Sequence, residues 1–336
     1  MTRPAALSVA LVVSLPTFLL AATPVQGTAA AAAEKARLEA LQRVGIPHVA
    51  LPVAGRVPTP FPFAVTAGPN GTIWFLDNIQ GTIGGPFGGF CSGDPGVGAS
   101  DAGSATTGDA YDNGYGLYVD GTLFAIDTAD LTGTTVTAGP QVMSGLNVTR
   151  QLFFSTTRQV MRVLDSFQNP TAGTINVVVE MPVNFGSDRG TVVGATSSGD
   201  LIFTTADRWV ITSDGGGSDP VNTSVLFGPG APAITPASVT QTVFDCAATD
   251  GVGWTFNLSV PAGATRRLLF FAGLGDMLGT GNTVAGANTN VAVFDSAVTL
   301  HTTTDLTSGL SNAELLQVAN WDFSFVPVEL QSFEVK

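Results

Sequence analysis

Charge is what this chain has least of. Only 12% of its 336 residues are Asp, Glu, Lys or Arg, about half the share of roughly a quarter usual in soluble domains. Solubility must then rest on Thr, Ser, Asn and Gly, a surface that suits secreted β proteins better than cytoplasmic enzymes. Lysine is nearly missing, with Lys35 and Lys336 alone, so Arg supplies the interior positive charge. The formal net charge of −13 repels a phosphate backbone and excludes nucleic acid as a partner of the whole-protein field.

Histidine is almost as scarce. His48 lies among prolines and His301 in a Thr run, and neither arrives with a nucleophile or metal-ligand motif. The chain has no G-x-S-x-G elbow, no H-E-x-x-H helix and no Walker loop, so no catalytic residue is assigned. Cys91 and Cys246 are the only cysteines. Too far apart for a zinc pattern, they read either as a disulfide, which across so long a loop contributes about 4 to 5 kcal/mol, or as two buried thiols. No repeat of fixed period occurs, which argues against a propeller or solenoid.

Long apolar runs are confined to the start. Arg3 precedes residues 5–22, AALSVALVVSLPTFLLAA, and small residues follow. This is the pattern of a secretory signal peptide, residues 1–27, interrupted by Pro16 and cleaved after Ala22 or Gly27. No second run of about 18 apolar residues follows, so the mature chain is expected not to span a membrane. Residues 28–45 are rich in Ala, Glu, Leu and Arg and read as a short helix. Residues 46–62 hold five prolines and read as an extended linker, leaving 63–336 as one large β domain.

Within that domain short β-branched and aromatic runs alternate with Gly, Asn, Asp and Pro turns. Asp120-Gly121 in YGLYVDGTLFAID marks a two-residue hairpin. From 145 to 214 the runs RQLFFST, QVMRVLDSF, INVVVEM, TVVGAT, LIFTT and RWVITS follow one another with no room for long helices. Parallel βαβ architecture is thereby excluded, and an all-β, antiparallel two-sheet sandwich is predicted. Alternation is clearest over 162–167 and 176–181. Near the C-terminus, Val291, Phe294 and Val298 fall at helical spacing, and Ser311 with Glu314 forms a capping-box signal. A last strand is expected in FSFVPVELQSFEVK, and short helices near both termini.

The segments TR-x-LFF, RVLD-x-F-x-NPT, NFGSDRGT, TSSGD, DRWVITSD and VPAGATRRLLFF resemble a core of uncharacterised secreted bacterial β-sandwich proteins. Over about residues 108–321 the chain is similar to the large two-sheet supersandwich of galactose-mutarotase-like domains. The resemblance implies architecture. It carries over no catalytic residue, because the His and acid pair of mutarotase-like enzymes has no motif match here.

Binding candidates are few. Trp209, flanked by Arg208 and Asp207, is the tryptophan best placed by sequence to stack on a sugar ring. Asp214 and Asp219 flank a Gly-rich turn and are the candidate Ca²⁺ ligands, Ca²⁺ being the one cofactor considered; Asp94, Asp101, Asp109 and Asp112 form a second acidic set. Arg150, Arg158, Arg162, Arg189 and Arg208 lie near Asp165, Asp188 and Asp207, where pairing across strands is the simplest expectation. The composition favours a secreted, extracellular or periplasmic, non-enzymatic module that contributes structure or binds a glycan or cell-surface component. The alternative is a carbohydrate-active enzyme of mutarotase-like architecture using Asp207 or Asp112.

Overall fold

A computed structural model describes residues 46–79, 96–104, 108–187, 190–215, 219–241 and 251–327. The chain divides at Gly45/Ile46 into two compact units, and the described residues all belong to the second. The signal peptide 1–27, the helix at 28–45, both cysteines, Asp94, Asp188, Arg189 and residues 328–336 lie outside them.

The strands in chain order are β1 (His48–Ala50), β2 (Val53–Pro60), β3 (Phe63–Thr66), β4 (Ile73–Ile79), β5 (Gly96–Gly103), β6 (Tyr111–Gly114), β7 (Tyr118–Val119), β8 (Thr122–Leu123), β9 (Thr128–Gly133) and β10 (Thr135–Met143). They continue with β11 (Leu146–Phe154), β12 (Val160–Gln168), β13 (Ile175–Phe185), β14 (Val192–Thr196), β15 (Trp209–Ser213), β16 (Asn222–Val225), β17 (Ser238–Thr240), β18 (Gly251–Val260) and β19 (Thr265–Leu274). Three short helices follow: α1 (Val284–Asn290), α2 (Ala297–Thr303) and α3 (Asn312–Leu315).

These strands form a two-sheet sandwich. One sheet runs β1-β3-β4-β5-β6-β13-β18-β17, with the β7–β8 hairpin attached to β13; the other runs β14-β15-β16-β19-β12-β11-β10-β9-β2. The main ladders are antiparallel, and β1 pairs with β3 in parallel. Turn chemistry sets the hairpin registers. Asp120 and Gly121 both have positive φ, 49° and 73°, as the two-residue turn between β7 and β8 requires.

The Pro-rich stretch 46–62 is not a linker. It supplies β1 and β2, and β2 pairs with β9 from Val53↔Gly133 to Pro60↔Thr128. Pro58 and Pro60 are tolerated because β2 is an outer strand, where a missing N–H costs no ladder bond on the open side. Phe61 then stacks on Phe63 at 5.1 Å.

Two apolar layers hold the fold. Leu268, Phe270 and Ala272 of β19 face the other sheet, together with Met161, Val163 and Phe167 of β12 and Val179, Met181, Trp254 and Phe256 opposite. Leu269 and Phe271 point the other way, into a second cluster with Val160, Leu164, Phe294, Leu300, Leu315 and Trp321. Both faces of the second sheet's centre are therefore buried, which explains the unbroken apolar run LLFFAGL, residues 268–274. It also removes the alternation expected over 162–167, where only Ser166 is not buried.

The C-terminal segment is the cover on that second face. Thr283, Ser296 and Ser311 cap α1, α2 and α3 with their hydroxyls, Ser311 and Glu314 completing a capping box and satisfying N–H groups that a helix start leaves unpaired. Val291 and Phe294 are buried as expected, whereas Val298 is 48% exposed. Asn320 locks the cover: its amide donates to the carbonyls of Leu226 and Leu269 at 2.8 Å, and its oxygen accepts from Leu269 N–H at 2.9 Å. The expected last strand does not form over its described part, 323–327, which is irregular. Among the described residues no helix is long and apolar enough to cross a membrane.

Candidate functional site

Asp207 and Trp209, two of the residues that the sequence singles out, are spent inside the fold. Asp207 has no exposed surface and staples the β14–β15 connection, accepting from Ser198 N–H, Thr204 N–H and the Thr204 hydroxyl at 2.9, 2.9 and 3.0 Å. Burial alone would raise its pKa, but these bonds outweigh it and hold the carboxyl below its ordinary value. Trp209 is 6% exposed and packs in the second apolar cluster with Ile211, Val225 and Leu269. So enclosed a ring has no face for a sugar, and that expectation is corrected. Arg208 pairs with Asp295 at 2.8 Å, fastening the helical cover to β15.

Other candidates are held by local contacts. Asp214 accepts from the Asp219 backbone N–H at 3.2 Å. Among the described residues no three His, Cys, Asp or Glu side chains group as metal ligands. Asp112 sits half-buried in β6. Asp101 is buried at a β5 irregularity and accepts from the N–H groups of Ala102 and Ala110 at 2.6 and 2.9 Å; burial, and then neighbouring Asp109, push its carboxyl up to about 8. Arg150 and Arg162 are fully buried. Arg162 lies over the Phe153 ring and donates to the carbonyls of Leu306 and Ser308. His48 sits edge-on to Phe75, and His301 meets Thr307 through Nδ1 at 3.0 Å.

An open groove lies elsewhere, on the outer face of β13 and β18. Its volume is about 340 Å³, and Asp120, Asn176, Val177, Val178, Asn257, Leu258 and Ser259 line it. Strand alternation builds it. Val177, Val179 and Met181 of β13 and Phe256, Leu258 and Val260 of β18 belong to the core, so Asn176, Val178 and Glu180 must face out, as must Thr255, Asn257 and Ser259. The register sets these as direct cross-strand pairs: Asn176 with Ser259, Val178 with Asn257, Glu180 with Thr255.

The β7–β8 turn walls the groove on one side. Asp120 accepts from Val178 N–H at 2.8 Å through its side chain and donates its own N–H to Val178 O at 2.9 Å. Thr255 is held from the other side by the Ser238 hydroxyl at 2.7 Å. The result is an apolar patch, Val178, ringed by two amides, a hydroxyl and a carboxylate, a mix typical of small-ligand sites though open rather than enclosed. Sequence reasoning missed it. The signal was INVVVEM itself, where period-two alternation sends Asn176, Val178 and Glu180 to one face.

No known protein family matches the chain at the sequence level, and no curated protein does. Among solved structures, the Slr1438 protein of Synechocystis sp. PCC 6803 is 8% identical, with a TM-score of 0.32 over 64% of this chain and 95% of that one. A kojibiose phosphorylase candidate from the human microbiome is also 8% identical, with a TM-score of 0.34 over 68% of this chain and 29% of its own. Likeness at that level contributes nothing to the functional reading.

Proposed function

We propose that this is a secreted or cell-surface, non-enzymatic β-sandwich that binds glycan through the outer face of β13 and β18. The observation that carries the reading is the groove, where Asn176, Asn257, Ser259 and Asp120 surround Val178. Amides, a hydroxyl and a carboxylate around an apolar patch are the groups that hydrogen-bond sugar hydroxyls and accept a pyranose C–H face. The supersandwich resemblance and the Thr- and Gly-rich composition agree with an extracellular setting, and the N-terminal segment supplies the route out of the cell.

The test is a glycan-array screen of full-length expressed protein, with and without calcium, alongside Asn257→Ala and Trp209→Phe. Binding lost in the first variant and kept in the second supports the groove. Binding unchanged in Asn257→Ala, or none in the wild type, overturns it. N-terminal sequencing of exported protein is expected to begin at Thr23 or Thr28.

A further inference from the structure

Glu180 is the anomaly of the outer face. Only 7% of its surface is exposed, yet among the described residues no hydrogen bond or ion pair satisfies its carboxyl. Carboxylates this little exposed are ordinarily paired or hydrogen-bonded, whereas that of Glu180 is left to the solvent that still reaches its oxygens. The same fold satisfies Asp207, Asp165 and Asp101 fully or nearly so, which makes this exception local rather than general. Burial first, and then the charge of Asp120, raise the Glu180 pKa above its ordinary value.

Its position connects it to the groove. Glu180 and its cross-strand partner Thr255 stand one outward position along from Val178 and Asn257, on the same two strands. Asp120 lies close enough to act on it electrostatically and itself lines the groove. The groove lining contains no Lys, Arg or His and one carboxylate, Asp120, to which Glu180 adds a second from the next outward position on β13.

We infer that the groove takes a glycan carrying a free amine, a 2-amino-2-deoxy sugar, with its ammonium seated between Glu180 and Asp120. This rests on the glycan reading above and names its ligand class. An ammonium carries three N–H donors and no acceptor. Asp120 and Asn257 line the groove and Glu180 stands one outward position along β13 from Val178, so their oxygens offer three acceptors to such a cation, while Val178 offers support to the ring. A cation supplies the missing partner of Glu180 and relieves its repulsion with Asp120, forming charge-assisted hydrogen bonds. An acylated amine lacks the charge, and a uronic acid or sulfated glycan brings the wrong sign. The small volume suits a short stretch of chain at the low end of ligand sites.

Calorimetric titration of the full-length protein separates the outcomes. The probes are glucosamine tetramer, N-acetylglucosamine tetramer, a neutral glucose tetramer and a uronate tetramer, at one pH and low salt. Expected is binding of the glucosamine tetramer at least tenfold tighter than the others, with Glu180→Gln losing that preference while still melting cooperatively. Equal affinity for the neutral tetramers, or an unchanged preference in Glu180→Gln, overturns the amine assignment; if Asn257→Ala still abolishes binding, the glycan reading survives. Tightest binding of the uronate also overturns the assignment. No binding of any probe overturns both.

Discussion

Arg150 and Asp165 face each other across β11 and β12, joined by two hydrogen bonds of 2.8 Å, with neither side chain exposed to solvent. Arg150 also donates to the carbonyls of Val97 and Tyr115 on the opposite sheet. The pair therefore ties the two layers together through the middle of the apolar core. Removing one partner leaves the other charge buried and uncompensated, which costs about 3 to 5 kcal/mol. Arg150→Met and Asp165→Leu are each expected to lower stability by that amount in urea unfolding. The double variant is expected to recover most of the loss. Double-variant stability no better than the single variants contradicts this account.

Asp101 gives the fold a pH dependence. Its carboxyl, pushed up to about 8 by burial and by Asp109, stays protonated in the folded chain at pH values where the unfolded chain has released its proton. The folded state binds more protons, so stability falls as pH rises from about 4 and levels off above about 8. Unfolding free energy measured across that range is expected to decline, with a shallower decline in Asp101→Asn.

Glu180 acts in the same direction on the outer face. Its raised pKa means that ionising it in the unliganded fold is unfavourable, so its contribution diminishes as pH climbs past its unfolded value. Glu180→Gln is expected to match the wild type in acid and to melt higher near neutrality. An equal melting temperature at both pH values would count against a poorly satisfied carboxyl.

Gly228 leaves room for the Trp321 ring: a Cβ there would meet Trp321 carbons at 2.3 and 2.6 Å. Trp321 anchors the helical cover, donating from Nε1 to Leu269 O at 2.9 Å. Gly228→Ala is expected to destabilise by about 1 to 3 kcal/mol, the usual cost of overpacking, and to quicken hydrogen exchange in α1 to α3. Unchanged exchange there would place the cover's anchorage elsewhere.

Much of the architecture was legible because local rules agree with the tertiary structure. Asp120-Gly121 and the Ser311–Glu314 capping box are short-range signals, and each sits where its chemistry demands. Burial on both faces was not legible, since an unbroken apolar run such as LLFF looks the same whether helices or a sheet cover it. That ambiguity misplaced Trp209, whose neighbours Asp207 and Arg208 suggest a polar surface while the helices that enclose it lie some eighty residues on. The prolines of 46–62 misled for a related reason, because whether a proline is tolerated depends on which strand becomes the edge. Glu180 was overlooked because its isolation exists only after Thr255 and Asp120 have been brought beside it.

Hydrogen–deuterium exchange with and without a bound glycan locates the site most directly. The account predicts added protection confined to residues 118–121, 176–180 and 255–259, with the 207–209 segment unchanged. Protection centred on Trp209, or spread without preference over the sandwich, would contradict it.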